Sequence, residues 1–373
     1  MPGDATHRPL TIGIDARAAA EVPAGRGRVV RELLRALAAG DSAHRYVLYA
    51  RERWEGAALD ERFRWSMLES KDPWWHLLAA RRANGECGVF LSSNSYLTPL
   101  FLRIPAVPIV YDMVTFEPSM RPNRRSAVIE RATLGAALRR SAAVIAISQA
   151  TADALIARFP RARAKTTVAP LGVSAAGPPS PGELAELPPA GFVLAVGTLE
   201  PRKNLPRLVA AYAAMALELQ EGHPLVAVGA VGWETGETLT ALRTLGERAI
   251  LLGYVSDGAL AELYRRCAVF CYPSLGEGFG LPVLEAMAGG AAVITSNVSS
   301  LPEVGGDAVE YVDPTEVPEI GAALERLLRS PERRAELAAR GRERAGGFTW
   351  ARTAELVLGA LEQAAARGTA SGG

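Results

Sequence analysis

Short apolar runs alternate with amphipathic stretches along most of the chain. LTIGIDAR, from Leu10 to Arg17, is an apolar run that closes on an aspartate. The loop AEVPAGRGR follows, then VVRELLRALAAG, whose Val29, Val30, Leu33, Leu34 and Leu37 recur at helical spacing. This predicts a strand, a glycine loop and a helix. YVLYA, VFLSS, VPIVYD and AVIAIS repeat the strand signal, with helical stretches such as AVIERATLGAALRRS between them. From Gly172 to Gly191 a polar, proline-rich segment reads as a linker. The alternation then restarts with FVLAVG, PLVAVG, AILLG, VFCYPS and AAVITS, and the tail FTWARTAELVLGALEQAAA reads as one long amphipathic helix.

Near-continuous Val/Ile/Leu strands separated by helices are the pattern of parallel sheets covered on both faces, so the predicted class is α/β. Two such series on either side of a linker predict two doubly wound domains facing a cleft. In open sheets of this kind ligands bind beyond the carboxyl ends of the strands. A length of 373 residues agrees with two domains. Apolar residues make up 49% and charged residues 22%, as in a globular protein with a sizeable core. No run of about 18 apolar residues occurs, and MPGDATHRPL lacks the basic and apolar segments of a signal peptide, so a cytoplasmic location is expected. Cys87, Cys267 and Cys271 form no disulfide framework or CxxC pair and read as buried thiols.

The net charge of +1 conceals an asymmetry. Residues 1–170 carry 25 Lys and Arg against 16 Asp and Glu, a balance of +9, while residues 171–373 carry 16 against 24, a balance of −8. The basic half suits an anionic membrane, a phosphate-bearing acceptor or the acidic half of the same chain; no nucleic-acid partner is expected.

Candidate chemistry lies in the loops after strands. VGTLEPRKNLPRLVAAY places Arg202 and Lys203 at a strand's carboxyl end, before a helix expected near Asn204 or Leu205 with Pro206 in its first turn. Two cations there can hold a diphosphate, Arg by its planar fork and Lys as a point charge, or stand as a solvated pair before a helix. VFCYPSLGEGFGLPVLE is strand, glycine loop and helix. The amides of Phe279, Gly280 and Leu281 are expected to point toward an anion, with Pro282 as the first helical residue. Glu277 and Glu285 would repel a phosphate and make better acceptors for hydroxyls, one from a sugar ring and one from a ribose. A sugar nucleotide unites these features.

The E-x7-E spacing of Glu277 and Glu285, within YPSLGEGFGLPVLEAMAGGAAVITSNVSSLPEVGGDAVEYVDP, resembles the retaining GT-B glycosyltransferases of family four. These include bacterial mannosyltransferases and relatives of sucrose and glycogen synthases. VGTLEPRKNLPRLVAAY, GYVSDGALAELYRRCAVFCYPS and the tail FTW are similar to the same family, and IGIDARAAAEVPAGRGRVVREL matches its first strand, loop and helix more loosely. The resemblance implies two Rossmann-like domains: residues 1–171, acceptor-binding and completed by about 350–373, and residues 172–349, donor-binding. It implies donor-sugar contacts for Glu277, the ribose for Glu285, the diphosphate for Arg202 and Lys203, and backbone around the base at Tyr254 and Val255. Gly25 and Gly27 would approach the diphosphate. Many members carry Arg where this chain has Thr198, and His-Asp where it has Tyr111 and Asp112; Asp112 is either the substitute near the reacting sugar or an aspartate that caps its loop.

No D-x-D occurs, and His7, His44, His76 and His223 are scattered, so no metal or other cofactor is expected. The reading is retaining, metal-independent transfer of a hexose, GDP-mannose favoured as donor, to a glycan, lipid-linked or small-molecule acceptor. A sugar-nucleotide epimerase, a phosphorylase and a non-catalytic sugar-nucleotide sensor share the architecture. KDPWWHLLAARR, with Trp74 and Trp75 beside arginines, fits either a core helix or an acceptor site at an anionic membrane.

Overall fold

The computed structural model describes residues 9–56, 58–117, 124–230, 232 and 235–370. These fall into two compact units. One is built from the chain up to Thr115, from Arg124–Gly172 and from Trp350 onward; the other comprises Val173–Thr349 together with Phe116 and Glu117.

In the first unit, β1 (Thr11–Asp15), β2 (Arg45–Ala50), β3 (Phe63–Met67), β4 (Val89–Ser92), β5 (Ala106–Val110), β6 (Val144–Ala146) and β7 (Thr166–Val168) form one sheet. Its order is β3-β2-β1-β4-β5-β6-β7, and its pairs are parallel. Helices α1 (Arg17–Glu21), α2 (Arg26–Ala39), α3 (Trp74–Glu86), α4 (Arg124–Arg140) and α5 (Gln149–Arg158) complete the strand–helix alternation. The central strands β4 and β5 are buried along their whole length, which is why they read as unbroken apolar runs. Trp75 is fully buried against Tyr49, Ala79 and Phe90, whereas Trp74 on the same helix is 65% exposed.

In the second unit, β8 (Val193–Val196), β9 (Leu225–Val228), β10 (Ala249–Gly253), β11 (Val269–Tyr272), β12 (Val293–Ser296) and β13 (Glu310–Val312) pair in parallel in the order β10-β9-β8-β11-β12-β13. The helices in and before it are α6 (Pro181–Glu186), α7 (Leu205–Ala213), α8 (Leu217–Gly222), α9 (Gly236–Thr244), α10 (Asp257–Arg266), α11 (Leu281–Gly289), α12 (Leu301–Gly305), α13 (Val317–Arg329) and α14 (Pro331–Ala345). The terminal helix α15 (Trp350–Ala370) belongs to the first unit, where it packs on α2, β4 and β5.

Three strands escape the sequence pattern: β3, β7 and β13. All are sheet edges, only partly buried, so they need no continuous apolar run. The linker also differs from expectation, because Ser180 and Glu183 close a reciprocal cap that starts α6 inside it. Cys87 and Cys271 are buried and Cys267 half-buried, all as free thiols. Among the described residues no helix is long and apolar enough to cross a membrane.

Candidate active site

Strand order reverses between β8 and β11, so the loops leaving these neighbours run side by side at the sheet's carboxyl edge. After β8 the chain enters a 3-10 turn, Pro201–Lys203, and ends it at Asn204, whose φ of 60° is left-handed. Asn204 tolerates that conformation and ties the loop down, its amide donating to Pro273 O at 2.9 Å and Pro314 O at 2.6 Å. Helix α7 starts at the next residue, with Pro206 in its first turn as expected. The amide of Leu275 donates to Arg202 O at 2.9 Å, so the turn carrying Arg202 and Lys203 lies flat against the loop carrying Glu277.

Both cations meet Glu277. Arg202 Nη1 donates to Glu277 Oε2 and, at 2.8 Å, to Gly276 O; its Nε and Nη2 donate to Glu200 Oε1 at 3.1 and 2.7 Å. Lys203 Nζ donates to Glu277 Oε1 at 2.8 Å and to the Tyr272 hydroxyl, which itself donates to Glu277 Oε1 at 2.8 Å. Ser274 Oγ adds a third donor to that oxygen at 2.6 Å, and Ser299 Oγ accepts from the Glu277 amide at 2.9 Å. Burial alone would raise the Glu277 pKa, but the charges of Arg202 and Lys203 and these hydrogen bonds hold it well below the usual carboxylate range. Burial and the Arg202 charge lower the Lys203 pKa.

The cations expected to hold a diphosphate and the glutamate expected to accept a hydroxyl thus contact one another in this structure. Arg202, Lys203, Glu200 and Glu277 form a cluster of zero net charge, and the Arg202 fork is taken up by two carboxylates. Unused capacity remains elsewhere. Lys203 has three donors and fills two; Glu277 Oε2 has two lone pairs and accepts from Arg202 alone. Glu200, Tyr272, Ser274 and Ser299 belong to this cluster and escaped the sequence reading. A polar residue held at the carboxyl end of a strand is the signal that could have found the middle two.

Helix α11 begins at Leu281, one residue before the expected start, with Gly280 as its cap at φ 106°. A side chain at 280 would strain that backbone and press a Cβ to 2.9 Å from Leu301. The amides of Phe279, Gly280 and Leu281 have no acceptor among the described residues, as expected of a helix start awaiting a partner. The Phe279 ring itself is buried edge-on against Phe348. Glu285 stands in the second turn of α11, where its Oε2 accepts from the Tyr264 hydroxyl of α10 at 3.3 Å. Tyr254, 62% exposed, and Val255 lie in the loop between β10 and α10. Thr198 is exposed just beyond β8. Among the described residues no group of three His, Cys, Asp or Glu is placed to hold a metal ion.

In the first unit the corresponding edge carries a different set. Gly25, at φ 54°, caps α2 with open space around it, but Gly27 is required by packing: a Cβ there would sit 1.8 Å from Val22 O. Tyr111 and Asp112 follow β5. The Tyr111 hydroxyl donates to Ser93 O at 2.7 Å and its ring is covered by the Arg26 guanidinium, 5.2 Å from the centroid. Asp112 Oδ1 accepts from the Val114 amide at 3.0 Å, capping the turn that follows.

Residues 183–344 match the family model for glycosyl transferases group 1, and residues 23–176 match that for glycosyltransferase family 4. The chain belongs to glycosyltransferase family 4. A 163-residue stretch of this family-4 chain is 44% identical to the O-antigen chain mannosyltransferase B of Escherichia coli, covering 43% of the chain and 42% of that protein. A 240-residue stretch is 34% identical to the D-inositol 3-phosphate glycosyltransferase of Actinosynnema mirum, covering 59% of the chain and 57% of that protein. The chain thus spans well under two thirds of the length of these curated relatives. Its fold is GT-B. It matches the sucrose-phosphate synthase of Thermosynechococcus elongatus with a TM-score of 0.75 at 21% identity, over 93% of the chain and 97% of that structure. It also matches HepE of Anabaena, solved with UDP and glucose, with a TM-score of 0.74 at 18% identity, over 94% and 98%.

Proposed function

We propose that this chain transfers a hexose from a nucleoside diphosphate sugar, GDP-mannose first among them, to an acceptor hydroxyl with retention of anomeric configuration. The observation that carries the reading is the cluster of Lys203, Arg202 and Glu277 at the reversal of strand order, in the loop that runs on to the unpartnered amides of Phe279, Gly280 and Leu281. Mannosyltransferases among the relatives support the choice of donor.

The bond from the anomeric carbon to the diphosphate breaks with its electron pair leaving on the phosphate oxygen. The remaining donor of Lys203, the charge of Arg202 and the amides opening α11 meet that developing charge without a metal ion. Glu277, kept ionised by its two cations, accepts a donor-sugar hydroxyl on Oε2. Glu285 takes the ribose, and the backbone at Tyr254 and Val255 flanks the base. The acceptor oxygen forms the new bond from the face the diphosphate leaves, and its proton goes to the departing phosphate.

A thermal-shift panel of GDP, UDP, dTDP and ADP tests the donor, because a ligand bound only by the folded state raises the melting point. GDP is expected to give the largest shift, and a flat panel overturns the reading. With GDP-mannose and an acceptor, activity is expected to survive EDTA, and free GDP to appear only when acceptor is present. An α-linked product retaining the donor configuration, seen by NMR, separates this chemistry from an inverting one.

The acceptor is proposed to be lipid-linked, reached at an anionic membrane. Helix α3 turns Trp74, Leu77 and Leu78 outward, followed on the same side by Arg81 and Arg82. Arg64, Arg81 and Arg82 also line a groove of about 660 Å³. Apolar anchors beside cations suit headgroup and acyl chain together. Sedimentation with phosphatidylglycerol vesicles is expected, weakened by salt and by Trp74→Ala; equal binding to neutral vesicles refutes the surface.

A further inference from the structure

Behind Tyr111, the first unit holds a charged corner that the mechanism above does not use. Arg26 opens α2, which follows β1; Ser93 follows β4; Tyr111 and Asp112 follow β5; and Glu130 comes from α4. The three strands are neighbours, so these residues share the carboxyl edge at the first sheet's own reversal of strand order.

The corner is built but not closed. Glu130 is 9% exposed, and its Oε1 has no hydrogen-bond partner. The hydroxyl of Thr115, a residue whose carbonyl accepts from Arg131 on the same helix as Glu130, is also buried without a partner. Among the described residues, the charged and titratable groups facing Glu130 are Arg26, Asp112 and Tyr96, yet no ion pair joins Arg26 to either carboxylate; its guanidinium lies over the Tyr111 ring instead. A buried carboxylate beside a guanidinium normally closes into a bidentate pair, because a buried hydrogen bond left unmade is costly. Here the groups stand apart, as they would if a third molecule completed their hydrogen bonds.

We infer that Arg26, Asp112 and Glu130 form a binding site for the vicinal hydroxyls of a neutral sugar. Hydroxyls both donate and accept, so one diol can serve two carboxyl groups and a guanidinium together. An anion is disfavoured, since two carboxyl groups flank Arg26. Burial lifts Glu130 to about 7, with Asp112 adding to the effect and Arg26 opposing it, so near neutral pH it can either donate to or accept from a hydroxyl. That this sugar is the acceptor rests on the transfer reading above; that the site binds a sugar does not.

Saturation-transfer NMR with methyl α-D-mannopyranoside and methyl α-D-glucopyranoside tests the site on the full chain. At least one glycoside is expected to receive saturation from the wild type, and Glu130→Gln and Arg26→Met to weaken its binding about tenfold or more. Glu277→Gln, which alters only the donor cluster, is expected to leave that binding in place. Glu130→Gln keeps the side-chain shape, and an unchanged far-UV circular dichroism spectrum and cooperative thermal unfolding certify that each variant is folded. The inference is overturned if neither glycoside binds the wild type, or if binding responds to Glu277→Gln and ignores Glu130→Gln and Arg26→Met. Should glycoside binding depend on Glu130 while no nucleotide shifts the melting point, the site stands and the transfer reading falls. The reverse pattern removes the site and leaves transfer intact.

Discussion

The two units place acidic and basic side chains at the same topological position and resolve them in opposite ways. In the second unit Glu277 is enclosed by Arg202, Lys203, Tyr272 and Ser274, so its charge is fully compensated. In the first unit Glu130 is also buried, but Arg26 stays out of contact and one carboxyl oxygen is left unpaired. Burial disfavours the ionised form in both places. Contact with cations reverses it in the first case, and distance from the cation lets it prevail in the second. Burial alone therefore does not tell which way a carboxyl group moves; the geometry of its nearest cation does.

Substitutions at the closed cluster are expected to give the largest effects. Lys203→Ala should lower turnover by about a hundredfold to a thousandfold, read from steady-state rates with saturating donor, because in the proposed reaction it removes a group that meets leaving-group charge. Unaltered turnover in a folded Lys203→Ala protein would end the mechanism. Arg202→Ala strands Glu200 and Glu277 without their shared partner and should cost about 3–5 kcal/mol in urea unfolding. A loss under 1 kcal/mol would mean the cluster is not held as described.

Proton linkage separates the two carboxyl groups by sign. The Glu277 pKa is depressed on folding, so its contribution to stability is present above the ordinary carboxylate value of about 4.3 and fades as pH falls below it. The Glu130 pKa is raised to about 7 on folding, so its contribution is complete below about 4.3 and is lost as pH rises toward 7, a change of about 3 kcal/mol. Glu130→Gln should flatten the stability profile between about pH 4 and 7 and leave the acid limb unchanged. A profile that keeps its slope in that variant contradicts the placement of Glu130.

The smallest expected difference is between two tyrosines. Tyr272 hydrogen-bonds an ionised carboxylate and Tyr111 a neutral carbonyl. Tyr272→Phe should cost about 2 kcal/mol and Tyr111→Phe about 1 kcal/mol by denaturant unfolding. Equal losses would erase the contrast between the two corners.

Much of the second unit's candidate site was legible in the order of residues along the chain. VGTLEPRKN and YPSLGEGFG each carry their charged and polar groups within a few residues of a strand end, and local signals such as Pro206, Pro282 and the loop glycines locate the helix starts. The pairing of Glu277 with Arg202 and Lys203 was not legible, because it joins residues about 75 positions apart through the adjacency of β8 and β11. Gly27 shows the converse: its place in a glycine loop suggested approach to a ligand, whereas the carbonyl of Val22 is what excludes a side chain there.

What the sequence by itself determined is the alternation of buried strands and amphipathic helices, and with it the parallel sheets, since hydrophobic periodicity is a local property of the chain. Tertiary structure alone decided which charges touch. Arg26 and Glu130 are 104 positions apart and Lys203 and Glu277 are 74. Whether such groups neutralise each other or stand apart depends on separations of a few ångströms that only the packed sheets set.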